Sequence, residues 1–369
     1  MRRTTSTISA LLLIGGAGVL VAAPPTAAST IAVITSTETF TTPQGFADAQ
    51  PVEGSHAAGV MLVNLFRNGS NQAAMLDTHS RQYTLIAPGS LASRATGISA
   101  DGGTVTYIVD GPSSTHVFAR DLSSGATRQV DVDESGTPVD SRCYQSGPGS
   151  LTPDGRFVAF LCGAGRPYVR DLQTGRLAAG PASLDVPFGY ALLDGGDRLL
   201  FTSPGTATAP DFSYATDGFV YAWTPSTGAV SPVVDCTAAA CYFNGASGDG
   251  HLISYTTSVG TLDTAHVRNL TTNKRWTTRL SQKGWAASVA HDGAGVVVWE
   301  GTDGVHPSGI FVGDPDHGFA ALSGSDGVPS GEIPTWIDDD ATTIWTTSDQ
   351  DAGAWHIRLT HDESFPPIT

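Results

Sequence analysis

The stretch from Ser150 to Gly175, SLTPDGRFVAFLCGAGRPYVRDLQTG, is written several times along the chain, and this repetition constrains the fold more than any other feature. It holds a turn (TPDG), an apolar strand ending in an aromatic (RFVAF), a bend (GAGR), a second strand (PYVRDL) and another turn (QTG). One such unit cannot bury its own apolar face, so neighbouring copies must cover each other.

Aligned on the turn, SADGGTVTY (99–107), TPDGRFVAF (152–160), SGDGHLISY (247–255) and the weaker DDDATTIW (338–345) each place an aromatic six residues after an aspartate. These aromatics are Tyr107, Phe160, Tyr255 and Trp345. LLDGGDRLLF (192–201) and AHDGAGVVVW (290–299) run one residue longer, to Phe201 and Trp299. A second strand follows each copy: HVFARDL, YVRDL, FVYAW, HVRNL, GIFVGD and AWHIRL. AAGVMLVNL (57–65) begins a degenerate first copy, which brings the units to seven, about 40 to 55 residues apart. That is the period of propeller blades. Asp-Gly suits the turn because Asp bonds its own backbone and Gly tolerates positive φ. With 43 Gly and 22 Pro in 369 residues and only 15% charged residues, the composition agrees with an all-β chain.

The expectation is therefore an all-β β-propeller of seven blades, each of four antiparallel strands, with six and eight blades still open from the spacing. After AWHIRL the last blade lacks a strand, and TIAVITS (30–36) lacks a partner. Ile31, Val33 and their neighbours are expected to supply the outer strand of the last blade and close the ring.

The repeat, (S/T)-x-D-G before an aliphatic–aromatic strand and then a strand ending in D-L-x-x-G, resembles that of the TolB-type propellers, relatives of WD repeats. The likeness covers residues 95 to 360, and GISADGGTVTYIVDGPSSTHVFARDLSSGATRQV is nearly as good a copy as the stretch quoted first. The resemblance implies an extracytoplasmic binding platform. It does not carry over partnership with the Tol machinery, because TolB has an additional N-terminal domain and only about 25 residues precede the first blade here. Oligopeptidases join such repeats to a peptidase domain, and no stretch of this sequence fits one.

Residues 1–28 differ from the rest: Arg2 and Arg3, an uncharged apolar run from Ile8 to Ala23, then PPTAAS. This pattern reads as a secretory signal peptide cleaved after Ala28. A membrane anchor is the competing reading, disfavoured because the run is short and holds Gly15, Gly16 and Gly18. The remaining division is 29–54, closing strand and lead-in, and 55–369, the propeller. Loss of Arg2 and Arg3 leaves 17 basic residues against 35 acidic. This balance disfavours nucleic acid and anionic lipid as partners.

Four cysteines in an exported chain should pair. Of the three connectivities, Cys143–Cys162 and Cys236–Cys241 are preferred, the first across strands joined by the TPDG turn and the second closing CTAAAC.

Catalytic motifs are missing: there is no GxSxG, HExxH, P-loop or dinucleotide fingerprint. His116, His266 and His356 fall at repeat-related positions, which points to blade packing. DVDESG (131–136) is the sharpest metal candidate, with Asp131, Asp133 and Ser135 alternating before Gly136 as in half of a calcium loop. Arg142 at the twelfth position excludes an EF-hand, and a solvated acidic loop is the plainer reading. GDPDHG and SDQDAG are weaker candidates still. No cofactor is expected apart from Ca2+ at that loop.

All seven tryptophans lie beyond residue 222, most of them inside strands. Trp285 and Trp336 each precede a blade turn and are candidates for a ligand face near the central channel. The function expected is a secreted, monomeric, non-catalytic propeller that binds a protein or a cell-wall polymer. The alternative is a propeller enzyme, a lyase or glycan-acting hydrolase, with acid and base drawn from several blades around the channel.

Overall fold

The computed structural model describes residues 33–360 except 56, 90–91, 146, 183, 185, 187, 207–208, 211–217, 237–239, 260–261, 281–285, 301–308, 317, 322–331, 339–342 and 349–352. The proposed signal segment, Ile31 and Trp285 lie outside the described residues. The strands make seven antiparallel sheets of four, and one sheet carries an extra two-residue strand, Ala209–Pro210. Blades 1 to 3 are Asp48–Ser55, Val60–Arg67, Ser70–Asp77, Gln82–Leu85; Ser93–Ile98, Thr104–Asp110, Thr115–Asp121, Thr127–Gln129; and Cys143–Tyr144, Phe157–Cys162, Arg166–Asp171, Leu177–Ala179. Blades 4 and 5 are Phe188–Leu192, Leu199–Thr206, Gly218–Thr224, Ala229–Asp235; and Ala240–Ala246, Leu252–Val259, Leu262–Asn269, Arg275–Leu280. Blade 6 is Ala286–Val289, Val296–Glu300, Gly309–Asp314, Gly318–Ala321. Blade 7 is Glu332–Ile337, Thr343–Ser348, Gly353–Thr360, closed by Val33–Thr41.

First strands of successive blades touch from blade 4 through blade 7 and on to blades 1 and 2, so they form the inner wall of a closed ring. The chain is a seven-bladed β-propeller. Val33–Thr41 pairs with Gly353–Thr360 over its whole length, from Val33 opposite Thr360 to Thr41 opposite Gly353. Asp48–Ser55, read from sequence as lead-in, is the innermost strand of blade 1. No Asp-Gly turn marks its end, only Gly59 with φ +63°.

The turn chemistry accounts for the spelling of the repeat. Ser99 Oγ donates to Asp101 Oδ1 at 2.6 Å and accepts from Thr104 N at 2.8 Å. Thr152 does the same between Asp154 and Phe157, and Ser247 between Asp249 and Leu252. The following glycines, Gly102, Gly155 and Gly250, hold φ near +70° (70°, 69° and 74°), which a residue with a Cβ adopts only at a cost. In the second turn, Asp121 accepts from Ser123 N and Ser124 N, Asp171 from Gln173 N and Thr174 N, and Asn269 from Thr271 N and Thr272 N.

Four of the six repeat aromatics pair across strands with a second ring. Tyr107 stacks on Phe118, Phe160 on Tyr168, Phe201 on Tyr221 and Tyr255 on the imidazole of His266. All four pairs press into the preceding blade: Tyr107 packs with Leu62 and Ala73, Phe160 with Val117, Phe201 with Ala159 and Leu161, Tyr255 with Leu200 and Val220. Burying such rings from water drives the stacking of blades. Trp345 departs from the alignment. It packs with Met61, Val63 and Leu65 of blade 1, the blade that follows it. In blade 6, Val298 takes the position opposite Phe311, and Trp299 lies one residue beyond, opposite Ile310.

Both disulfides form as expected, Cys143–Cys162 and Cys236–Cys241. Cys143 and Cys162 are direct cross-strand partners, with Cα atoms 4.1 Å apart.

Candidate functional site

The strand order gives the ring two unlike faces. One holds the short Asp-Gly turns between first and second strands. The other holds the second-to-third connections, the crossings between blades and both disulfides, and is called the loop face here. Between them runs the inner wall of first strands.

A register shift interrupts the pairing of the first strand with the second in six blades: at Pro51/Glu53, Ala95/Gly97, Phe188/Tyr190, Phe243/Gly245, Ala286/Ser288 and Pro334/Trp336. Each shift adds a residue that bends the strand where the blades converge. Small residues fill this tier. A Cβ on Gly189 would lie 2.3 Å from Phe243 O, and one on Gly97 would meet Thr106 Oγ1 at 2.9 Å and Leu151 Cβ at 3.0 Å.

Glu53 of blade 1 crosses this tier. Its Oε2 accepts from Ile98 N of blade 2 at 3.1 Å, and its Oε1 from Gly149 N of blade 3 at 3.4 Å. Beside it, Thr96 Oγ1 donates to Gln145 Oε1 at 2.6 Å, and Gln145 Nε2 to Ala159 O at 2.9 Å. Tyr190 OH of blade 4 donates to that same Ala159 oxygen. Thr96, Gln145 and Tyr190 are buried, and such groups are costly to leave unmatched, so the network fixes the relative rotation of blades 1 to 4. The other carboxylates on described first strands are Asp48, which accepts from Ala49 N and Gln50 Nε2, and Glu332.

On the turn face, backbone bonds run from blade to blade: Ala100 N to Pro153 O, Asp194 N to Gly248 O, and Gly248 N to His291 O. Across Gly248, Asp194 of blade 4 pairs with His291 Nε2 of blade 6 at 3.0 Å. A Cβ on Gly248 would lie 2.3 Å from the His291 ring, which would have to move aside.

The sharpest sequence candidate, Asp131–Ser135, lies in the crossing from blade 2 to blade 3 on the loop face. Its carboxylates are not brought together. Asp131 is fully buried, with Oδ2 2.7 Å from His116 Nδ1 and Oδ1 accepting from Val117 N at 3.3 Å. Asp133 turns to its own hairpin, where Oδ1 accepts from Ser135 Oγ, Ser135 N and Thr137 N. The Ser135 hydroxyl, followed by the Thr137 amide, holds its carboxyl below the usual range. No cluster of three or more His, Cys, Asp or Glu side chains suited to a metal ion occurs among the described residues. Arg170 clamps the segment by donating to Val130 O and Val132 O.

Trp336 is buried against Phe40, Met61 and Trp345, so its ring fills the seam between blades 7 and 1. A Cβ on Gly54 would come within 3.1 Å of that ring. His266 is a packing residue, with Nε2 2.7 Å from Thr257 Oγ1 and burial lowering its pKa to about 4. His116 is different. Its pairing with Asp131 was hidden in the sequence because fifteen residues separate them, and only the register past Gln129 shows that they face each other.

Several solved structures share the architecture. An oligogalacturonate lyase in complex with manganese aligns at TM-score 0.57 and 13% identity, over 91% of this chain and 99% of that one. The oligogalacturonate lyase of Vibrio parahaemolyticus aligns at 0.55 and 13%, over 92% and 100%. A chain of the mitotic checkpoint complex aligns at 0.56 and 14%, over 97% and 99%. At such identities the likeness shows the fold alone. No family model matches the sequence, and no curated protein matches it.

Proposed function

We propose that the chain is an exported, TolB-type propeller that acts as a monomeric binding scaffold for a protein or a cell-wall polymer. The observation that carries this reading is the engagement of Glu53. The Glu53 carboxylate is spent on backbone amides of two other blades, as a rigid platform requires and as a general acid on the channel does not. Export is supported by the charged, apolar and small-residue pattern of residues 1–28, with cleavage after Ala28, and by two disulfides. No helix among the described residues is long and apolar enough to cross a membrane. Retention of partners from culture supernatant and cell-wall fractions on immobilised mature protein tests the proposal. Retention no greater than on a denatured control counts against it.

A propeller lyase or glycan-acting hydrolase is the second reading, and His116 favours it, because a buried carboxylate orients a partly exposed imidazole. Turnover of a polysaccharide panel by the purified protein, lost in His116→Gln, would select this reading.

A further inference from the structure

We propose that His116 is a tautomer-locked acceptor on the loop face, built to take a hydrogen bond from a hydroxyl group of a neutral ligand. The inference goes beyond the scaffold reading and does not depend on it.

Three observations carry it. Asp131 has no exposure, and His116 Nδ1 and Val117 N are its hydrogen-bond partners. A carboxylate can only accept, so Nδ1 must carry a ring proton, and in the neutral ring Nε2 presents its lone pair. The ring side chain is 23% exposed, and no described residue occupies Nε2.

Three other histidines each lack one of these features. His251 Nδ1 also meets a carboxylate, but Asp249 is 65% exposed, so water screens the pair. His291 spends Nε2 on Asp194, and His266 spends its own on Thr257. The dyad is also rigidly mounted. Arg170 grips the carbonyls of Val130 and Val132, and Cys143–Cys162 ties down the far end of the crossing.

The class of ligand follows from charge. The carboxylates nearby are already engaged, Asp131 by His116 Nδ1 and Val117 N and Asp133 within its own hairpin, which gives a cation little reason to bind. The chain as a whole, with 35 acidic against 19 basic residues, repels anions. A neutral hydroxyl donor, such as a sugar, is what remains.

The test uses the intact protein and needs no partner. Long-range proton–nitrogen NMR reads the tautomer directly. A protonated Nδ1 with a bare Nε2 on His116 is expected, and an Nε2–H tautomer overturns the proposal. Diethylpyrocarbonate, followed by peptide mapping, should acylate His116 about fivefold faster in the wild type than in Asp131→Asn. Equal rates overturn it. If Asp131→Asn does not fold, the wild-type tautomer still decides. A panel of neutral mono- and disaccharides should shift the His116 ring signals. Shifts with glucuronate or methylammonium alone, or no shift with any of these, overturn the ligand class. A failed partner capture leaves these readouts untouched, and their failure leaves the scaffold reading standing.

Discussion

The Phe40 ring lies stacked on Trp345, with centroids 5.2 Å apart and planes 30° from parallel. Phe40 belongs to the first described strand and Trp345 to the last blade, so this contact ties the two ends of the ring. Phe40 is 2% exposed, in one cluster with Met61 and Trp336. Phe40→Ala should therefore cost about 4 kcal/mol, read as a lower urea midpoint with an unchanged slope. Removal of residues 29–40 should lower the melting temperature more. An unchanged midpoint in either variant would mean that the seam does not hold the ring.

Trp345 also shows where the sequence misleads. Counting from the aspartate puts it in register with Tyr107, yet it faces the following blade and not the preceding one. The count assumes that every turn has the same length, and the turn before Trp345 lacks the Asp-Gly pair that fixes it in blades 2, 3 and 5. Where the pair is present, hydroxyl, carboxylate and glycine each have one geometric task, and the fold is legible from the spelling. The inner-wall bulges left no such trace, because an extra residue in a strand follows from crowding at the axis. Glu53 and the His116–Asp131 pair were equally hidden. Both join residues whose meeting depends on how blades are rotated or how far an outer strand runs.

Gly189 and Gly248 both lack room for a Cβ, but the obstacles differ. At Gly189 the obstacle is the backbone oxygen of Phe243, and at Gly248 it is the side chains of His291 and Asp194. Side chains can swing aside and a strand cannot. Gly189→Ala should destabilise by about 3 kcal/mol and Gly248→Ala by about 1 kcal/mol, both read by denaturant titration. Equal costs would show that the inner wall yields as easily as the turn face.

The disulfides should differ in weight. Cys143–Cys162 closes nineteen residues and Cys236–Cys241 five. On the loop-entropy model, replacing the first pair by alanine should cost about 3 kcal/mol and the second about 2 kcal/mol. Thermal unfolding of the two double variants, compared with the wild type under oxidising conditions, checks the order. The reverse order would locate the effect in folded-state packing.

Acid should attack the repeat turns together. Asp101 is held below its ordinary 3.8 by Ser99 and then Gly103, Asp121 at about 2 by Ser123 and then Ser124, and Asp171 lower still by Arg156. A depressed folded pKa stabilises fully above the unfolded value and is lost as pH falls through the folded value. Stability should therefore drop between about pH 4 and pH 2, followed by circular dichroism. In Asp171→Asn, unfolding in this window should be shallower and stability at pH 7 lower. An unchanged acid profile would dismiss the turn carboxylates as its origin.

His266 sets a separate window at higher pH. It occupies the cross-strand position that Phe118, Tyr168 and Tyr221 hold in blades 2, 3 and 4, stacked on Tyr255 at 4.8 Å. Burial, and then Arg275, lower its pKa from 6.5 to about 4. Above pH 6.5 both folded and unfolded chains carry a neutral ring, and the full contribution is present. Below it the unfolded chain binds a proton that the folded chain refuses, so stability falls until about pH 4, where both are protonated. A phenylalanine cannot titrate, but it would leave the buried Thr257 hydroxyl without its partner. His266→Phe with Thr257→Val keeps the stacked pair and removes both polar groups. This double variant should match the wild type near pH 8 and exceed it at pH 5, measured as melting temperature across that range. A constant offset at every pH would place the origin of the slope elsewhere.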